Sequence, residues 1–160
     1  MGAGKILCIL GGILALVATF VLTFYNHLLG IGSGYGIFLN LVTYMQTSTI
    51  LAIIFTIVFV ISAISGIFIL IGVKSRAMAI IGSIFVLVLG ILLLITPGLQ
   101  IVISADIETA LQAFITDFSL GGFIPYDLPI GFGDLSLGWA VLLGGGVLGL
   151  IGGIIGPGDF

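Results

Sequence analysis

Formal charge is what this chain has least of. Its 160 residues include only three Lys and Arg and six Asp and Glu, 6% of the sequence. A water-soluble domain devotes about a quarter of its residues to charge, so an ordinary soluble fold is excluded. Disorder is excluded too, because disordered chains are poor in apolar residues, and 61% of this one is hydrophobic. Proline is scarce at 4 residues and the 26 glycines follow no three-residue period, which removes a collagen helix. The single cysteine, Cys8, cannot form an internal disulfide, and one histidine, His27, gives no recognisable metal cluster. Without a basic patch there is nothing to hold nucleic acid. What remains is an integral membrane protein.

Four stretches are long and apolar enough to cross about 30 Å of hydrocarbon, which takes ~20 residues of helix. They cover residues 6–25, 47–73, 77–96 and 137–156. The second contains no formal charge and, at about 1.5 Å per residue, is ~40 Å long as one helix, so it is expected to tilt or project into the interface. Stop signals agree with these limits. Thr96-Pro97-Gly98 closes the third span, because the residue before Pro is pushed out of helical geometry, and Gly156-Pro157-Gly158 closes the fourth. Only residues 74–76 separate the second span from the third, so those two helices are antiparallel neighbours. The fold expected is an all-α, four-transmembrane-helix bundle forming a single membrane domain over residues 1–160. Its loops 26–46 and 97–136 lie on one side, and the second carries an amphipathic surface helix.

Orientation is read from the charges. Lys5, Lys74 and Arg76 fall on one face, which the positive-inside rule makes cytoplasmic, so both termini are expected there. Asp106, Glu108, Asp117, Asp127 and Asp134 fall on the other. Tyr25, Tyr35, Tyr44, Tyr126 and Trp139 also gather on the outer side, where amphipathic rings favour the headgroup level. The first span is read as a retained anchor, since its apolar run exceeds a signal-peptide core and no small-residue cleavage site closes it. Cys8 and Met1-Gly2 both lack the context of a lipid anchor.

Helices in lipid associate by close packing, and small residues four apart permit it. The fourth span carries eight glycines: Gly138, Gly144, Gly145, Gly146, Gly149, Gly152, Gly153 and Gly156. Gly145, Gly149 and Gly153 form one ridge, and Gly152 with Gly156 repeats the spacing on an adjoining line. Another backbone is expected against this groove, either inside the bundle or on a partner. Shorter matches are Gly11 with Ala15, Ser62 with Gly66, and Ala79 with Ser83.

In the second outer loop Ser104 can cap a helix and Asp106 and Glu108 suit its first turn. Ile107, Leu111, Phe114, Ile115 and Phe118 recur at helical spacing, giving an amphipathic helix of about 14 residues that Gly121-Gly122 ends. Pro125, Pro129, Gly131 and Gly133 then impose an irregular or short-strand return. The apolar face rests on the spans or on lipid, or is a docking face for a partner. The loop's acids lack the spacing of a calcium site, and a solvated acidic face is the plainer reading. The first outer loop is Gly-rich and unusually apolar, and is expected to hug the interface or pack on the second. Its Gly34-Tyr35-Gly36 matches three residues of the potassium-channel filter, but Gly32 and Ser33 stand where that filter has Thr and Val, and there is no room for a pore helix.

Chemistry is missing where membrane enzymes and ion-coupled transporters need it. No Asp, Glu, Lys, Arg or His lies in the interior of a span, which removes a carboxylate proton relay, a voltage sensor and a buried charge pair. His27 and Cys8 sit at opposite ends of the first span, ~28 Å apart along a helix, and cannot share a site. The outline is similar to tetraspan membrane proteins such as claudins and tetraspanins in topology alone. Neither the claudin Trp and Cys signature nor the tetraspanin cysteine-glycine motif is present, so no functional residue carries over. The expected function is that of a non-enzymatic structural or interaction component, without cofactor, catalytic residues or metal. It would work through lateral self-assembly or as an accessory subunit of a larger membrane complex, with membrane lipids and other subunits or copies of itself as partners. The alternative is a small channel or transporter lined by backbone and hydroxyls such as Ser62, Ser65 and Ser83.

Overall fold

A computed structural model describes residues 2–27, 30–47, 49–101, 103–112, 114–116 and 127–156. The element order is α1 (Ala3–Phe20), β1 (Tyr25–His27), β2 (Gly30–Gly32), α2 (Gly34–Thr47), α3 (Ile50–Ile71), α4 (Arg76–Leu93), a π-turn (Leu94–Gly98), α5 (Ala105–Gln112), β3 (Ile115–Thr116) and α6 (Leu137–Ile155). Helix dominates. Four of the helices are long and apolar enough to cross a membrane: α1, α3, α4 with its π-turn, and α6. The chain is a multi-pass membrane protein.

The spans form a ring in which α1 and α4 each pack against both α3 and α6. Arg76, at the start of α4, donates to the carbonyl of Ile154 at 2.8 Å, and Gly4 abuts the backbone of Gly152 and Gly156. The start of α1, the α3–α4 turn and the end of α6 therefore share one end of the bundle, together with Lys5, Lys74 and Arg76. We call it the basic end, and the opposite end the cap.

Span limits shift for physical reasons. The first helix stops at Phe20, short of the expected residue 25, because residues 23–26 are drawn into strand-like pairing. Thr23 and Phe24 carbonyls accept from the N–H groups of Gly138 and Ser136 at 3.0 and 2.9 Å, and Asn26 N–H donates to Asp134 O at 2.8 Å. The expected 27-residue second span is the single helix α3, shortened at both ends. Thr49, in extended geometry, caps α3 by accepting from Ala52 N–H at 3.3 Å, which leaves α3 with 22 residues and less length to tilt or project than expected. The third span keeps Pro97 inside its last turn, where the missing N–H widens the ladder to the i to i−5 bond from Leu99 to Leu94, 2.8 Å.

The cap departs most from expectation. It is not all helix: β1, β2 and β3 form an antiparallel sheet in that order, with Tyr25 opposite Gly32 and Gly32 opposite Ile115. The first outer loop, expected to hug the interface or pack on the second, contains the 14-residue helix α2, for which no helix was expected. The outer-loop helix expected over about 14 residues is the eight-residue α5. Its start follows the sequence, with Ser104 Oγ accepting from Ile107 N–H at 3.2 Å. Its end does not: Phe114 turns back to Leu111, its carbonyl accepts from Ser33 N–H at 3.0 Å, and Ile115 and Thr116 join β2. Strand pairing thus takes the residues that helical spacing had assigned to the last turns.

Candidate functional site

The glycine ridge is the first feature to place, and the structure puts it inside the molecule. Gly145, Gly149, Gly152 and Gly153 are all buried. A Cβ on Gly145 would lie 2.7 Å from Gly11 O and 2.8 Å from Ala15 N, and one on Gly11 would lie 2.6 Å from both Gly145 O and Gly149 N. Backbone thus meets backbone along the α1–α6 seam, the closest approach two helices can make. Gly149 also faces Ser83 and Ile69, and Gly153 faces Ala79 and Ile80. Gly152 lies against Gly4 and Cys8, and Gly156 ends α6 at φ 84° beneath Gly4. One face of α6 therefore receives α1 and another receives α4, so this chain itself fills the groove. Gly144 is the exception, with open space where its side chain would be.

The shorter small-residue pairs act in the same way. Gly12 and Gly66 face each other across α1 and α3, and Gly82 lies against Ser65 and Phe68 across α3 and α4. Hydroxyls close what remains. Thr56, Ser62, Ser65 and Ser83 each donate to the carbonyl four residues back, at 2.6–2.9 Å, and Thr19 shares its hydrogen between Ala15 O and Ala63 O at 2.9 and 3.1 Å. These polar groups are buried and already satisfied, as a low-dielectric interior requires.

The outer-loop face has a similar fate. Leu111 and Phe114 are buried, and Ile107 is packed against the core. Phe114 sits at the centre of the cap, edge-on to Phe24 at 5.8 Å and tilted against Phe59 at 5.7 Å. Ile115 belongs to β3, and Phe118 lies outside the described residues, as do Asp117, Tyr126, the Gly121-Gly122 stop, Pro125 and the Pro157-Gly158 stop. The described part of the face is the inner wall of the cap.

Acids in the cap hold it together. Asp127 accepts from Asn26 Nδ2 at 2.7 Å and from Ser136 Oγ at 2.6 Å, joining β1 to the entry of α6. Asp106 accepts from Thr49 Oγ1 at 2.6 Å, joining α5 to the cap of α3. Among the described residues no group of three His, Cys, Asp or Glu gathers as a metal site would require. Cys8 is buried on the α1–α6 seam, and His27 ends β1 opposite Gly30.

Two aromatic residues expected at the headgroup level have other work. Tyr25 is buried over Gly32, and its hydroxyl donates to Leu111 O at 2.7 Å. Trp139 is half-buried and donates from Nε1 to Gly90 O at 2.8 Å, tying α6 to α4 just below the π-turn. Sequence reasoning had no signal for these two bonds or for the Asn26–Asp127–Ser136 junction, whose members are far apart in the chain. Gly34-Tyr35-Gly36 is the first turn of α2, with Gly34 against Thr19 and Gly36 against the Phe114 carbonyl, so small size there permits packing.

Comparison with family models, with curated proteins and with solved structures finds no match to this chain.

Proposed function

We propose that this protein is a non-enzymatic structural or interaction component of the membrane, assembling laterally with copies of itself or serving as an accessory subunit of a larger complex. The observation that carries the reading is the closure of the bundle interior by its own backbone. Glycines bring α1 and α6 into backbone contact, and the buried hydroxyls of Thr19, Thr56, Ser62, Ser65 and Ser83 are bonded to backbone carbonyls. That supports a rigid scaffold, because the hydroxyl hydrogens are already bonded to backbone carbonyls and the glycines bring α1 and α6 into direct contact. Because the glycine face is occupied internally, a neighbouring subunit has the outward stripes to bind, such as Ile81, Ile84, Val88 and Ile91 of α4 or Val147, Ile151 and Ile154 of α6.

The basic end is cytoplasmic in this reading, with both termini there and the acidic cap outside. The basis is the positive-inside bias of Lys5, Lys74 and Arg76. Extraction in a lipid-retaining copolymer followed by mass measurement tests the function. Several copies, or a fixed ratio to foreign subunits, is the expected result. A single chain alone in its lipid disc overturns it.

A further inference from the structure

The first cap helix, α2, presents an apolar face that no other part of the described chain covers. Leu39, Val42 and Met45 recur at i, i+3 and i+6 and are exposed, Val42 by 64%, with the uncharged Thr43 and Gln46 exposed beside them. The opposite face is anchored by Ile37, which is buried, and Phe38, one turn before Val42, stacks on Phe20 at 5.7 Å and ties α2 to α1. The depth of α2 follows from its two ends. Gly34 lies so close to Thr19 that an added Cβ would sit 3.0 Å from Thr19 Cα, and Thr19 bonds Ala63 of α3. Gly34, Thr19 and Ala63 therefore share one level. At its other end α2 stops at Thr47, just before α3 begins at Ile50. Its 14 residues, ~20 Å of helix, thus run alongside the cap-side half of α3, between Ile50 and Ala63.

That half of α3 belongs to a helix long and apolar enough to cross the bilayer. All 22 residues of α3 are uncharged and span ~33 Å, close to the hydrocarbon thickness of about 30 Å. Its Ile50, Leu51, Ile54 and Ile57 are exposed too, Ile50 by 78%. No Asp, Glu, Lys or Arg occurs anywhere between Lys5 and Lys74, so the loop that holds α2 has none of the charge an aqueous segment carries. The chain leading to α2 can tolerate this depth because its backbone is paired, β1 with β2 on one side and residues 23–26 with residues 134–138 on the other.

We propose that α2 is a fifth membrane-embedded helix, one that enters only the leaflet on the cap side, and that Leu39, Val42 and Met45 contact lipid acyl chains. The test is a nitroxide at Val42→Cys in a Cys8→Ala background, reconstituted in phosphatidylcholine vesicles and probed by oxygen and by a water-soluble nickel chelate. Ile57→Cys serves as the lipid-facing reference and Lys74→Cys as the aqueous one. The expected signal is rich in oxygen collisions and poor in nickel collisions, matching the label at Ile57. Nickel access equal to that at Lys74 overturns the proposal by putting the face in water. Shielding from both reagents overturns it by putting a protein surface there. If removal of Cys8 unfolds the chain, Val42→Trp in the native background decides the same question. Quenching by brominated phosphatidylcholine beyond that of Trp139 alone is expected, and no added quenching is the contrary result.

Discussion

Replacing Gly145 by alanine, with Gly144→Ala as its control, isolates the energetic worth of the α1–α6 seam. The two residues are adjacent on one helix, so any gain in helix propensity, about 1 kcal/mol for Gly to Ala, cancels in the comparison. They differ in surroundings. A methyl at Gly144 meets nothing within 4 Å, whereas one at Gly145 lies 2.7 Å from Gly11 O and 2.8 Å from Ala15 N. Ordinary contact begins near 3.4 Å, and the obstacles are backbone, which cannot rotate away. Helices α1 and α6 must part along their length, and overpacking of this kind costs ~1–3 kcal/mol. For a chain of this size that separates the two melting midpoints by roughly 2–12 °C, with Gly145→Ala the lower. Cys8, buried on the same seam and the sole thiol of the chain, provides the readout: a fluorogenic maleimide reports the temperature at which the seam opens. Equal midpoints would refute the packing argument. An unchanged midpoint with a reduced assembly mass would place the glycine face against another molecule instead.

Three further substitutions probe the cap by the same thermal readout. Tyr25→Phe removes the hydroxyl bond to Leu111 O, but that carbonyl still accepts from Phe114 N–H at 3.1 Å, so the loss should be only about 0.5–1.5 kcal/mol. Thr49→Val removes both the cap on Ala52 and the bond to Asp106 and should cost ~1–2 kcal/mol, whereas Asp106→Asn keeps an acceptor and should cost less. Thr23→Val should raise the midpoint. Thr23 Oγ1 is buried with no hydrogen-bond partner among the described residues, a penalty of ~1–3 kcal/mol that an isosteric methyl removes, while the control Thr19→Val breaks satisfied bonds and should lower it.

The four spans were legible because hydrocarbon thickness imposes one length and one composition on every crossing helix, whatever it packs against. Their ends were less so. Residues 21–25 continue the apolar run of the first span, and pairing with β2 on one side and with residues 134–138 on the other takes residues 23–25 out of the helix. Helix α2 was hidden by Gly34 and Gly36, which read as loop residues; they stand in its first turn as glycines because a side chain at either would strike Thr19 or Phe114. Over residues 107–118 the spacing was right for a helix, but β2 offered its free edge to Ile115 and Thr116, and that long-range pairing prevailed. The ridge through Gly145, Gly149 and Gly153 correctly announced a close backbone. Which backbone it meets depends on how the ring of spans closes, and periodicity within one helix carries no such information.

Flux through reconstituted vesicles tests the central claim, a bundle closed by its own backbone. Purified protein in liposomes should leak small ions and uncharged solutes no faster than protein-free liposomes of the same lipid. A leak that rises with the number of copies per vesicle, and falls when Ser62, Ser65 or Ser83 is replaced by alanine, would contradict it and favour a conducting path through the spans.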